Sequence, residues 1–247
     1  MTWFQHRRRE AEWMDREDVD PALLGKSLKF IRRVNRLLGY TRATIAHLES
    51  FSRGWNRGER ISIIDFATGS ADVPLAILKW AHARGFDLRI VGVDLHAQTA
   101  RAARSSSPDP RLQIVRADAL SLPFEANSFD YAITGLFLHH LSDEQAVAVL
   151  GAMDRVARRG IIAADLIRTR RAYAWISLFT LLANPMVRHD AKVSVAQAFS
   201  KDEAFALRDR AKLDYLRYFR YFGHRFVLAG QKSELFPVEQ SHARALS

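Results

Sequence analysis

The sequence predicts an α/β protein built on an open, mostly parallel sheet with crossover helices. Three observations carry this. From residue 61 onward, short apolar runs rich in Ile and Val alternate with helical patterns, the signature of βαβ units. The first run, Ile61–Ile64, ends in Asp65 and gives way to a small-residue turn, Ala67-Thr68-Gly69-Ser70-Ala71, before a helical pattern starts at Asp72. A strand, a tight loop and a helix N-terminus in that order let backbone N–H groups and a helix dipole meet a nucleotide-like ligand. The next two runs, Leu88–Val93 and Arg111–Val115, also lead into acids, Asp94 and Asp118.

Taken in order, the elements begin at Asp20-Pro21, an acid at the cap and a proline at the first helical position, which is a good helix start. Leu23, Leu24, Leu28, Ile31, Val34, Leu37 and Leu38 then fall at helical spacing up to Gly39, and a second helical run covers Thr41–Phe51. Strands are predicted at Ile61–Asp65, Leu88–Asp94, Arg111–Val115, Phe129–Thr134 and Gly160–Asp165, with helices near Val73–Ala83, Ala97–Arg104 and Ser142–Arg158 between them. Ser142-Asp143-Glu144-Gln145 and Ser200-Lys201-Asp202-Glu203 read as capping boxes, the second opening a helix that runs to about Lys212. Leu213–Phe219 and Arg225–Ala229, around Gly223, read as two antiparallel strands, making seven in all. The chain beyond Gly230 is expected to be loose.

The turn quoted above, with Asp118-Ala119 followed by Leu122-Pro123-Phe124 and Phe129-Asp130, resembles the class I S-adenosylmethionine-dependent methyltransferases of the small-molecule and quinone type. The likeness covers roughly Ile61–Asp165. It implies a seven-stranded Rossmann-like methyltransferase fold, mostly parallel with one reversed edge strand, plus an N-terminal helical cap. The implied division is a cap over 1–60, a cofactor-binding domain over 61–230 with a substrate-covering insertion at 168–199, and a tail over 231–247. The cofactor implied is S-adenosyl-L-methionine. Asp65 would accept from its ammonium, while the backbone at Ala67 and Gly69 approaches its amino-acid end. Asp94 would take the two ribose hydroxyls with Leu95 against adenine, and Asp118 with the backbone of Ala119 would read the adenine edge. Ala71 departs from the pattern, because relatives usually carry a third glycine there. We expect that position to need only a small side chain. A dehydrogenase fingerprint would want three glycines in this turn, and only Gly69 is present.

Composition narrows the chemistry. No cysteine is present, so disulfides, thiolate metal sites and a cysteine nucleophile are excluded, and with them covalent methylation at pyrimidine C5. Net charge is +10, but the basic residues are scattered. Arg7-Arg8-Arg9, Arg32-Arg33-Arg36 and Arg168-Arg170-Arg171 fall short of the blocks that mark an electrostatic tail, so no specific nucleic-acid partner is expected. No signal-peptide pattern opens the chain, and the uncharged stretch Ala172–Val187 is shorter than the ~20 residues that span a bilayer. The expectation is a cytoplasmic protein.

On the acceptor side, His139-His140 follows the fourth predicted strand, and a neutral imidazole with pKa near ~6.5 is a natural base for a hydroxyl. The competing reading is loop packing. His140 matches the commoner family position. His189-Asp190, with Arg188 beside it, is a weaker second pair. Catechol-type relatives hold a divalent metal with acids after the fourth strand and an Asp-Asn pair after the fifth; this chain has Thr134-Gly135 and Asp165-Leu166 there, so no metal is expected. Trp175, Phe179, Leu182 and Met186 recur at helical spacing, and we read Ala172–Val187 as an apolar lid, ahead of core packing or shallow membrane-surface contact. The activity expected is methyl transfer to a hydroxyl, ahead of a nitrogen or ring carbon, of a small aromatic or lipophilic acceptor. The alternatives are an RNA or protein methyltransferase, or a cofactor-binding protein without transfer activity.

Overall fold

A computed structural model describes residues 6–16, 18–37 and 39–232. Leu38 and most of the tail named above therefore lie outside the described residues. Seven strands form one sheet: β1 Arg60–Phe66, β2 Asp87–Asp94, β3 Leu112–Arg116, β4 Phe129–Gly135, β5 Ala157–Leu166, β6 Arg217–Tyr221 and β7 Arg225–Gln231. Their order is β3-β2-β1-β4-β5-β7-β6. The first five pair in parallel. β7 is the reversed strand, antiparallel to both β5 and β6 and second from the edge. Order reverses between β1 and β4, so the ends of these strands open a crevice where a ligand can enter.

The central parallel strands β1, β4 and β5 are buried on both faces over most of their length, which is why they read as continuous apolar runs. One face is covered by α2 (Tyr40–Phe51), α3 (Asp72–Arg84) and α4 (Ala97–Ser106), through Phe51, Ile77, Ala81 and Ala103 packed on Ile61, Ile63 and Ile90. The other is covered by α5 (Asp143–Val156) and α8 (Lys201–Arg210), through Leu150, Met153 and Leu207. Both predicted capping boxes form, at Ser142 with Gln145 and at Ser200 with Glu203. Three helices remain outside these layers on the crevice side: α1 (Pro21–Leu37), α6 (Arg170–Phe179) and α7 (Pro185–Gln197). Asp20 caps α1 through a 2.7 Å bond from the Leu23 N–H.

Several elements differ from the sequence reading. α5 stops at Val156 because Asp130, fully buried at the start of β4, draws Arg158 and Arg159 into β5, each 2.8 Å from its carboxylate. Residues 213–216 are turns, with Leu213 and Leu216 plugging the core under α5 and α8. The stripe Trp175-Phe179-Leu182-Met186 is split between two helices. α6 ends at Phe179, Asn184 caps α7 by accepting from the Val187 N–H, and Leu182 in the connecting turn is 99% exposed. Arg168, grouped above with a basic surface cluster, is buried and paired with Glu203 at 2.6 Å.

Candidate active site

The turn after β1 is shaped by three left-handed residues, Ala67 (φ 55), Gly69 (φ 56) and Ala71 (φ 58). This corrects the expectation for Ala71, which caps α3 in the left-handed region. An alanine there carries strain on the order of 1 kcal/mol. The conformation is forced because the chain must leave β1 and enter α3 within five residues while Thr68 donates to the Val93 carbonyl at 2.8 Å. A side chain at Gly92 would come within 2.7 Å of the Thr68 hydroxyl, so β2 is bare where the turn crosses it.

Around this turn the strand ends bring their acids together. Asp65 accepts from the Thr68 hydroxyl at 2.7 Å, and burial pushes its carboxyl up to about 7. Asp94 accepts the Gly69 and His96 N–H groups, each at 2.9 Å; burial raises its pKa as well. Asp118 accepts the Leu120 N–H at 2.9 Å, which orders the loop after β3. Asp65, Ala67, Gly69, Asp94, Leu95, Asp118 and Ala119 all line one cavity of about 980 Å³. The sequence reading had named all seven.

The same cavity continues to His139 and His140, which form a single helical turn after β4. His139 is buried against Asp165, its backbone N–H on one carboxylate oxygen at 2.9 Å and its Nδ1 on the other at 2.6 Å. The Nε2 of His139 faces Glu12 at 3.6 Å, an ion-pair distance rather than a hydrogen bond. Burial works against a charged ring, but Asp165 and Glu12 outweigh it and push His139 up to about 10. His140 donates through Nδ1 to Asp15 at 3.0 Å. Burial again opposes the charge, yet Glu12 and Asp15 raise the ring above its ordinary value. The surrounding carboxylates thus favour the charged form of the pair over the neutral base expected from the sequence.

Glu12 and Asp15 belong to a strap, residues 6–16, whose Glu12, Met14 and Asp15 line the cavity. Arg7 ties it down. Its side chain is only 7% exposed, donates to the carbonyls of His139 and Leu141 at 3.1 and 2.9 Å, and stacks on Phe199. Asp190 accepts the N–H groups of Trp13 and Met14, and His189 stacks on Trp13 with 4.1 Å between rings. The His189-Asp190 pair thus fastens the strap. Neither His189 nor Arg188 lines the cavity, while Asp190 does. Sequence reasoning missed Glu12, Asp15, Arg7 and the part played by Asp165. The one available signal was an acid-rich stretch followed by a good helix start.

The wall facing the strand ends is apolar. Leu28, Phe30 and Ile31 of α1, Ala172, Trp175 and Ile176 of α6, and Val187 and Val195 of α7 line it. Tyr40, buried at the foot of the cavity, requires the bare backbone of Gly135, since a side chain there would overlap its ring.

The pattern of a family described as a methyltransferase domain matches residues 63–160. A demethylmenaquinone methyltransferase of Staphylococcus saprophyticus is 32% identical over 98 residues, 39% of this chain and 40% of that protein. A ubiquinone/menaquinone biosynthesis C-methyltransferase of Rickettsia typhi is 33% identical over 86 residues, 33% of this chain and 35% of that one. The matched region thus spans less than half the length of these relatives. Among solved structures, a SAM-dependent methyltransferase from Aquifex aeolicus superposes with a TM-score of 0.60 at 15% identity, over 87% of this chain and 99% of that one. The matched pattern makes residues 63–160 similar to a methyltransferase domain, and the strand order and superposition give the chain the fold of the S-adenosylmethionine-dependent methyltransferases. Over that stretch the chain is similar to quinone methyltransferases.

The residues present fit the cofactor of this class, S-adenosylmethionine. The left-handed turn aims backbone at one end of a strip that runs past Asp94 to Asp118, and the cavity lies at the upper end of the ~300–1,000 Å³ range of ligand sites, room for a cofactor and an acceptor side by side.

Proposed function

We propose that this protein methylates a small aromatic or lipophilic acceptor that carries a hydroxyl and enters between α1, α6 and α7. The observation that carries this reading is the meeting, in one cavity, of the cofactor strip, the apolar wall and the paired histidines. When bound, S-adenosylmethionine supplies an electrophilic methyl on a sulfonium. The chain's own residues then have three tasks. Asp65, Asp94 and Asp118 fix the cofactor's two ends, so that the methyl faces the apolar side in line with the acceptor. The strap and α6 keep water out. His139 and His140, held toward the cationic form, favour binding of the acceptor as its phenolate, whose proton has passed to bulk water before the cavity closes, and so present a nucleophilic acceptor. An ionised phenol reacts at oxygen or at a neighbouring ring carbon. We infer oxygen as the target from the histidine pair, whereas the Rickettsia relative is named a C-methyltransferase. Product analysis by ¹³C-methyl NMR with a phenol and a naphthoquinol decides it. A C-methyl product from both replaces the oxygen assignment, and no product from either rejects the acceptor class.

The cofactor strip is tested separately. Asp94→Ala should weaken binding of S-adenosylhomocysteine by about 1.5–3 kcal/mol, the scale for removing a charged hydrogen-bond partner. Unchanged affinity by calorimetry would remove Asp94 from the site.

We further infer a cytoplasmic enzyme that collects its acceptor at a membrane surface, with residues 61–230 as the catalytic domain and 168–199, under the cap of 1–60, as its cover. Among the described residues no helix is long and apolar enough to cross a bilayer. At the end of α6 and in the turn after it, however, Leu178, Leu181 and Leu182 are 74%, 59% and 99% exposed, while Trp175 and Ile176 of α6 line the cavity. Exposed Arg170 and Arg171 precede this knob. Leu181→Glu with Leu182→Glu should lower sedimentation with phosphatidylglycerol vesicles by at least about tenfold, with turnover of a soluble acceptor retained. Equal sedimentation of variant and parent would dismiss the surface.

A further inference from the structure

We propose that Glu12, His139 and His140 form a site for one divalent transition-metal ion, held from outside by Asp165 and Asp15. The three ligand atoms, Glu12 Oε1 and the two ring Nε2 atoms, all lie within 4.8 Å of one another. Oε1 is 3.6 Å from the His139 nitrogen and 3.9 Å from that of His140. Direct hydrogen bonds would close these gaps to about 2.7–3.2 Å. Two ligands of a tetrahedral ion with bonds of ~2.0–2.1 Å stand about 3.4 Å apart, so the spacing is close to that of a coordination edge.

Orientation supports the same reading. Each ring has its other nitrogen engaged, His139 Nδ1 on Asp165 at 2.6 Å and His140 Nδ1 on Asp15 at 3.0 Å. A carboxylate on one nitrogen fixes the ring and directs the lone pair of the other toward a metal. Ser194 donates to Glu12 Oε1 at 2.5 Å and steadies the third ligand. Three carboxylates around two imidazoles leave the pocket rich in negative charge. Two histidines and one carboxylate on one side of an ion leave further positions open, and all three residues face the cavity. The expectation of a metal-free site was drawn from the positions after β4 and β5. Glu12 comes instead from the strap, and Asp165 serves one step out. Binding of the ion displaces the protons of both Nε2 atoms, so in the loaded protein the positive charge facing the acceptor oxygen is the ion's and not the imidazolium pair's; that part rests on the proposed function, and the site itself does not.

The test uses the full chain, stripped with a chelator and dialysed. Cobalt(II) is titrated by visible absorption and zinc(II) by calorimetry. The expected result is one saturable equivalent, with a cobalt spectrum of low coordination number. Glu12→Gln and His140→Ala should each weaken binding, on the order of 100-fold. The His140 side chain is 25% exposed, so its removal leaves the core intact, and unchanged S-adenosylhomocysteine binding certifies both variants as folded. Absence of stoichiometric binding in the parent, or equal affinity in both folded variants, overturns the site. Failure of the parent to bind S-adenosylhomocysteine would strike the cofactor reading alone.

Discussion

Asp165→Ala should destabilise the protein by about 3–5 kcal/mol, the scale for removing one partner of a buried charge pair. For a chain of this length that lowers the melting temperature on the order of 10 °C. The size follows from what one carboxylate does. It is fully buried at the end of β5, accepts the His139 N–H and ring Nδ1, and accepts the Leu166 N–H at 2.7 Å. Alanine would leave these donors without their acceptor in the core. Asp165→Asn keeps one of the two acceptor oxygens and should cost less than alanine, though its amide NH2 would face one of the donors. The pair also sets a pH dependence in metal-stripped protein. His139 is raised from 6.5 to about 10 in the fold, so its contribution to stability is fully present below about 6.5 and is lost as pH rises through about 10. Thermal melts from pH 6 to 10 should show a falling limb that Asp165→Ala lacks. A melting temperature within a degree or two of the parent would mean that the interaction contributes little.

The parallel half of the sheet was legible because its central strands are buried on both faces and carry an acid or a small residue at or next to their ends. β1, β2 and β4 fall within one residue of their predicted bounds. The acids of the cavity were legible for a related reason: strand ends in a doubly wound sheet meet at one edge, so Asp65, Asp94 and Asp118 come to line one cavity. Ala71 was misread because a sequence shows the size of a side chain and not the sign of φ. The strap was illegible in a deeper way. Glu12, Asp15 and Arg7 stand in a polar, charge-rich segment that pattern alone assigns to solvent, and each is fixed by partners far along the chain: Glu12 by Ser194, Asp15 by His140, Arg7 by Asp143. Spacing carries no record of such contacts. α7 was hidden by its own mixed face, in which His189, Asp190 and Lys192 interrupt the apolar positions.

His140→Ala should lower turnover by roughly 10²–10⁴-fold, the range for losing a group that assists proton transfer or its charge, with cofactor affinity nearly unchanged. The ring lines the cavity beside the apolar wall but makes no bond to the strip at Asp65, Asp94 or Asp118. Neighbouring carboxylates hold both histidines toward the cationic form, so their aid is electrostatic and should act on the ionising acceptor. With a phenol of pKa near ~10, the deficit of the variant should shrink as pH rises, because the acceptor then loses its proton unaided. The parent's own profile separates the two roles open to the pair. A neutral base would give a rising limb near ~6.5, whereas rings that their carboxylate neighbours hold toward the cationic form give no rising limb there. A limb near 6.5 that disappears in His140→Ala would restore general-base catalysis. A deficit that stays constant at every pH would mean that His140 positions the acceptor, and a large loss in His139→Ala alone would move the role one residue back, to the ring held by Asp165.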